Sequence, residues 1–438
     1  MLLHRFSSFR AGALIALAGL CLLAACAGPA PATIGSPATA TALPARAGQP
    51  SPAPTASKPA APVTLTLWHD WSDDQAATVR EILDDYSRAR PGVTVNLVHQ
   101  GKLYGALPAD TSGELPDIVT VPTDLIAANA AANLLAPLDA YVSPAWLEEA
   151  FLPAAVDALR FQGKLWGLPF NLQTLTFIYN QRLIADADLA AQTSTLLDKA
   201  RAYQAAHAGV SYLVYPARND PYFAAPWFYG AGAWYAREDG SVGLDTPAGL
   251  EAARFIASLR EIMPADVDIT SSDALFRAGK AAITINAPWY VQKLQRDGMG
   301  VGLQIMPVVS SSRRPASPLV VVDGLCLGAN PRHAEESVRV IAYLVGAESE
   351  LRMARKHGLV PANKDANKQA NDEGLWIVAH YAQQAAVGQA MPTTPYIGAT
   401  WEPTIRLLQA LWDGKDPRQA LQLAQQESQA NIEKSRRQ

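Results

Sequence analysis

Val63, Leu65 and Leu67 alternate with polar residues, the period-two pattern of a strand with one buried face. Val79, Ile82, Leu83 and Tyr86 then recur at helical spacing, so they share one face of a helix. The breaker Pro91-Gly92 precedes a second alternating run, Val93, Val95, Leu97, and Pro116-Asp117 precedes a third apolar pair, Ile118-Val119. This strand, helix, strand rhythm predicts an α/β body with a mainly parallel sheet and right-handed crossovers. Further along, Thr246 can cap and Pro247 can start a helix carrying Leu250, Arg254, Phe255 and Leu259. Another helix places Val338, Ile341, Ala342 and Val345 on one face.

The N-terminus has a different pattern. Arg5 and Arg10 precede an apolar run from Ala11 to Leu23, which ends in Leu23-Ala24-Ala25-Cys26. A basic region, a short apolar region and small residues before a cysteine predict a lipoprotein signal over residues 1–25, with Cys26 as the mature, lipidated N-terminus. The apolar run is short of the roughly 20 residues a membrane span needs. Residues 26–62 are almost entirely Ala, Pro, Thr, Ser and Gly, with Arg46 and Lys58 the only charges, so they have nothing to bury. They read as a disordered tether with a reach of roughly 30 to 110 Å. Of the 3 cysteines, Cys21 leaves with the signal and Cys26 is blocked by lipid. Cys326 lies in the apolar run Leu319–Leu327 and reads as a buried, inert thiol.

The body from Val63 onward is long enough for two domains. The whole sequence has a formal net charge of −4, which argues against a nucleic-acid surface. Nucleotide-phosphate loops, nucleophile elbows and metal-ligand spacings are missing from the sequence, so no catalytic residue, metal or cofactor is expected. Gly230-Ala231-Gly232 starts like a dinucleotide loop, but Tyr235 stands where the third glycine belongs. Aromatic residues instead gather in turn-like contexts. Trp68 and Trp71 flank His69-Asp70, Pro221-Tyr222-Phe223 precedes Pro226-Trp227, Pro288-Trp289-Tyr290 follows an apolar run, and Trp401 follows Pro395-Tyr396. A sugar ring has apolar C–H faces and a polar rim, so aromatic plates beside carboxylates suit it. Ordinary core packing is the competing reading for each ring.

Leu65-Thr66-Leu67-Trp68, Arg90-Pro91-Gly92-Val93-Thr94-Val95, Leu115-Pro116-Asp117-Ile118-Val119, Gly163-Lys164-Leu165-Trp166-Gly167-Leu168-Pro169 and Ile178-Tyr179-Asn180 come in an order that resembles family 1 extracellular solute-binding proteins. Phe276–Trp289 and His357-Gly358-Leu359-Val360-Pro361-Ala362 continue the resemblance, which is nearest to maltose/maltodextrin-binding members. It implies a type II periplasmic-binding-protein fold, with two α/β lobes joined by a hinge and the ligand cleft between them. The first lobe would hold residues 63–170 and 322–372, the second 171–321 and 373–438. It implies a monomeric capture subunit of an ABC importer, partnered by the permease, by a carbohydrate and, through its lipid, by the membrane at the cell surface or periplasmic face.

The same resemblance gives Tyr222, Phe223, Trp289 and Trp401 the part of sugar plates and cleft lining, and Asp220 and Asp124 the part of hydroxyl partners. Departures from the family pattern are Val121 for a stacking tryptophan, Leu125 for an arginine, Gln173 for a hinge-region glutamate and the missing Asp-Lys pair after the first strand, for which Trp71 is the candidate replacement. Two alternatives stay open. A same-fold protein for glycerol-3-phosphate or another small solute would want arginines at the cleft, where Arg218 is the one neighbour of the aromatic block. A surface glycosidase would need two carboxyls about 5 to 9 Å apart across the scissile bond.

Overall fold

The computed structural model describes residues 62–100 and 116–437. Cys26, the signal and the tether therefore lie outside the described residues. The principal elements, in chain order, are β1 (Val63–His69), α1 (Asp73–Ala89), β2 (Val93–His99), β3 (Ile118–Pro122), α2 (Thr123–Ala131), β4 (Gly167–Gln173), β5 (Thr176–Asn180), β6 (Ser211–Val214), α3 (Pro221–Ala231), α4 (Pro247–Ser258) and β7 (Ala281–Asn286). They continue with α5 (Pro288–Arg296), β8 (Val301–Gln304), β9 (Leu319–Gly328), α6 (Ala334–Leu344), α7 (Ala347–His357), β10 (Val360–Pro361), α8 (Trp376–Ala386), β11 (Gln389–Ala390), α9 (Gly398–Trp412) and α10 (Pro417–Arg437).

The local signals act as the sequence suggests. Ser72 and Gln75 form a reciprocal capping box at the start of α1 and satisfy donors that the helix start leaves open. Val79, Ile82, Leu83 and Tyr86 are its buried face. Thr246 Oγ1 accepts from Gly249 N–H at 3.1 Å and Pro247 opens α4. On α6, Val338 and Ile341 are buried, as is Val345 just beyond its end.

Two sheets organise the body. The first has the order β10-β4-β9-β3-β1-β2, with β11 also paired to β9. Strands β2 and β3 run parallel to β1, with Leu65 opposite Val95 and Trp68 opposite Val119. The second sheet has the order β8-β5-β7-β6. Neither sheet is mainly parallel, which corrects the expectation from sequence. In the first, β9 is antiparallel to both β3 and β4; in the second, β5 is antiparallel to both β7 and β8. The cause is the path of the chain. It leaves the first sheet through β4, enters the second through β5 after Thr174 and Leu175, and returns along β9, so the outgoing and returning strands oppose each other.

Each sheet has its own core. Leu65, Leu67, Val79, Ile118, Phe170, Leu325 and Ile341 belong to one cluster; Phe177, Leu213, Trp227, Ile256, Ile283 and Leu407 belong to the other. Helix α7 divides its buried side chains between them, Met353 to the first and Leu351 and Ala354 to the second. Crossing segments are pinned by hydroxyls. Thr174 Oγ1 donates to Leu319 O at 3.1 Å, and Thr123 Oγ1 donates to Val322 O and accepts from Val322 N–H, both at 3.0 Å. Cys326 is buried on β9, and burial pushes its thiol pKa up, so it is an inert core residue.

Candidate functional site

A cavity of about 760 Å³ opens where the crossing strands meet the helix starts of both cores. From the first core come Pro122 and Asp124 at the head of α2. The crossing strands add Gln173, Val321 and Asp323, and the second core adds Asp220, Tyr222 and Phe223, Trp289, Tyr290 and Lys293, and Trp401.

Local structure explains how each side chain reaches the cavity. Asp220 is the N-cap of α3: its Oδ1 accepts from Tyr222 N–H at 2.9 Å, and Pro221 supplies a fixed φ at the first helical position. Tyr222 and Phe223 thus occupy the first turn, their rings edge to face at 6.1 Å, and Tyr222 Oη donates to Leu319 O at 3.3 Å. Pro288 starts α5 in the same way and throws Trp289 forward, 41% exposed. The turn before it is held because Tyr381 Oη on α8 donates to Asn286 O at 2.8 Å. Trp401, on the first turns of α9, meets the buried ring of Tyr235 edge-on at 5.8 Å.

The floor is acidic. Asp323 lies on β9 where the register with β4 shifts between Asp323 and Gly324, and such an irregularity re-aims a side chain. Its carboxylate accepts from Gln173 Nε2. Burial first, then the neighbouring Asp70, pushes the Asp323 pKa up to about 7, while hydrogen bonds from Gln173 and Asn171 pull the other way. Burial likewise lifts Asp124 to about 6 and raises Asp220. Among the described lining residues, Lys293 is the sole basic side chain. Arg218 does not reach the cavity, being paired with Asp266 at 3.2 Å and Asp413 at 3.3 Å.

Seven of the side chains singled out from sequence, Asp124, Gln173, Asp220, Tyr222, Phe223, Trp289 and Trp401, line this one cavity. Trp71 does not. It is 6% exposed, stacked on His69 at 5.1 Å and tilted against Phe170 at 5.6 Å, packed within the first core. Sequence reasoning missed Asp323 and Lys293. The signal for Asp323 was an acid in the middle of an apolar strand; for Lys293 it was a cation one helical turn beyond Trp289. Among the described residues no group of three His, Cys, Asp or Glu is arranged to hold a metal ion, and no helix is long and apolar enough to cross a membrane.

Residues 70–350 match the family model described as bacterial extracellular solute-binding protein. A maltotriose-binding protein of Pyrococcus abyssi (strain GE5 / Orsay) is 21% identical over 344 residues, covering 77% of this chain and 75% of that protein. A maltooligosaccharide ABC transporter solute-binding lipoprotein of Streptococcus pneumoniae (strain ATCC BAA-255 / R6) is 22% identical over 363 residues, covering 78% of this chain and 82% of that protein. Among solved structures, the maltose/maltodextrin-binding domain MalE from Bdellovibrio bacteriovorus bound to maltotriose superposes with a TM-score of 0.75 at 25% identity, covering 86% of this chain and all of that one.

Proposed function

Because the chain belongs to the bacterial extracellular solute-binding proteins, a family of binding proteins rather than enzymes, we propose that it captures an oligosaccharide of the maltooligosaccharide type and delivers it to the permease of an ABC importer. One observation carries this reading. Three aromatic plates, Tyr222, Trp289 and Trp401, and the carboxyls Asp124, Asp220 and Asp323 converge on a single cavity. Flat rings cover apolar sugar faces, and carboxyl groups hydrogen-bond to hydroxyls, in charge-assisted bonds where they are ionised. The names of the relatives point the same way.

A phosphorylated solute is the poorer fit. Four carboxyl residues line the cavity, Asp124, Asp220, Asp273 and Asp323, against Lys293 alone, and an anion would meet that excess without an arginine clamp. No covalent step is required of any residue.

Binding would work by closure. The lobes of this proposal are 63–170 with 322–372, and 171–321 with 373–438; the separate cores around the two sheets support the division up to about residue 345, beyond which Met353, Leu359 and Ala362 pack with the first core and Leu351, Ala354, Val360, Ala366 and Ala370 with the second. The cavity draws walls from both, so a ligand that touches both favours the arrangement in which they are near. Its differential affinity is the only source of that shift. Cys26 would carry the lipid, residues 26–62 would be the tether, and the protein would act as a monomer beside its permease. The test is a thermal-shift and calorimetric screen of the purified protein with maltooligosaccharides, galactooligosaccharides and glycerol-3-phosphate. A ligand at 100 times its dissociation constant adds about 2.7 kcal/mol of stability. A rise with maltooligosaccharides is expected; a rise with glycerol-3-phosphate alone, or with nothing, overturns the reading.

A further inference from the structure

Four acids reach the cavity from four separate elements: Asp124 from the head of α2, Asp220 from the N-cap of α3, Asp273 from the helix Ile269–Arg277 and Asp323 from β9. Among the described residues none of the four is held in an ion pair. Lys293 stands on α5, one turn beyond Trp289, and is not among the groups that act on Asp124, Asp220 or Asp323. Hydrogen bonds compensate only in part. Asp220 caps α3, and Asp323 has Gln173 and Asn171 but faces the further acids Asp70 and Asp124. The Asp124 carboxylate bonds to no described side chain. Asp273 Oδ1 is buried with no hydrogen-bond partner, and the neighbour of that acid is the phenol of Tyr290.

A carboxylate taken out of water without a cation is destabilised, and burial lifts Asp124 to about 6 and Asp323 to about 7 for that reason. Neutral hydroxyls can donate to these oxygens but bring no charge. An ammonium brings three donors and the missing positive charge together. The plates favour it as well, because the faces of Tyr222, Trp289 and Trp401 carry the negative side of a ring quadrupole and attract cations.

We propose that the oligosaccharide this cleft selects is cationic, with a free protonated amino group on at least one hexose unit. The proposal rests on reading the cavity as a carbohydrate cleft and narrows that reading. Three flat plates argue for sugar rings over a linear polyamine, which presents no flat face to stack. The amine would lie between Asp124 and Asp323, which are near enough to act on each other and beyond the influence of Lys293. There its charge would lower the pKa of both acids, so its binding would drive protons off them near neutral pH. A neutral sugar has no charge with which to do this.

The test is calorimetric titration at about pH 6.5, where such amines are protonated, of the wild type, Asp124→Asn and Asp323→Asn, with melting temperatures alongside. Two pairs of probes differ in charge: D-glucosamine against D-glucose, and the glucosamine trisaccharide against its N-acetylated form. Maltotriose is the neutral reference. In at least one pair the wild type should bind the amine about tenfold or more tightly than its neutral partner. Titrations in two buffers of unlike ionisation enthalpy should show protons released by the amine and none by the neutral sugar. In both variants the amine-to-neutral ratio should fall about tenfold, whereas a merely structural defect weakens both members of a pair alike. If one variant fails to fold, the other and the wild-type ratios still decide. Maltotriose binding with no preference for the amine in either pair overturns the cationic ligand alone, and so does an amine preference that both substitutions leave intact. Absence of binding by every probe overturns the carbohydrate reading and this proposal with it.

Discussion

Tyr235 braces Trp401: the two rings meet edge to face at 5.8 Å, and the Tyr235 hydroxyl donates to the carbonyl of Pro221 at 2.8 Å. Pro221 is the first residue of α3, the helix that carries Tyr222. One fully buried phenol thus fixes the spacing between two proposed sugar plates. Tyr235→Phe keeps the ring contact but leaves a buried carbonyl without its donor, which costs roughly 1 to 3 kcal/mol. Chemical denaturation should show that loss, and titration should show weaker sugar binding. Unchanged stability would mean that the hydrogen bond has no role.

The plates themselves differ in what else they support. Trp289→Ala and Trp401→Ala should each weaken sugar binding by about 2 kcal/mol or more, the usual effect of removing a buried aromatic anchor. Only the Trp401 variant should also melt lower, because only Trp401 packs on the core of Tyr235. Trp376, which opens α8 and is 42% exposed, is not a core residue, and Trp376→Ala should change neither quantity. Normal binding by the Trp289 and Trp401 variants would show that the cleft lies elsewhere.

Lipidation and ligand capture should be separable. Cys26→Ser should move the protein from the membrane fraction to the soluble one with sugar affinity unaltered, since in the proposed reading a lipid on Cys26 supplies the membrane affinity and takes no part in the cavity. Equal membrane retention of both proteins in a fractionation would refute the lipid anchor.

Much of the site was legible because it depends on short-range rules. Asp220-Pro221 and Ala287-Pro288 announce helix starts, and at both of these starts the aromatic side chains that follow line the cavity. Strand alternation marked β1 and β2, yet it could not tell that β9 comes back antiparallel, because direction depends on how the chain returns from the second sheet. Trp71 illustrates the opposite limit. Its neighbours in sequence match those of a cleft residue, but Phe170, far along the chain, supplies the surface on which it packs. Asp323 needed a long-range fact as well: its place is set by the irregular β4/β9 register and by Gln173 across the strand pair.

Asp323 leads to a prediction about pH. Its pKa rises from 3.8 to about 7 in the fold, chiefly through burial, with Asp70 and Asp124 adding repulsion and no cation among the causes. The native state therefore holds this proton at pH values where the unfolded chain has released it. Between about pH 4 and 7 the folded form binds more protons than the unfolded one, so the contribution of this group to stability falls as pH rises. Asp124, lifted to about 6, acts in the same direction over a narrower range. Asp323→Asn keeps the shape and the partner for Gln173 but removes the charge. The melting temperature of the variant relative to wild type should climb as pH goes from about 4 to 7 and level off above that. The measurement is a pair of melting curves at each pH in matched buffers. A difference that is flat, or that climbs toward acid, would mean that the fold does not raise the Asp323 pKa.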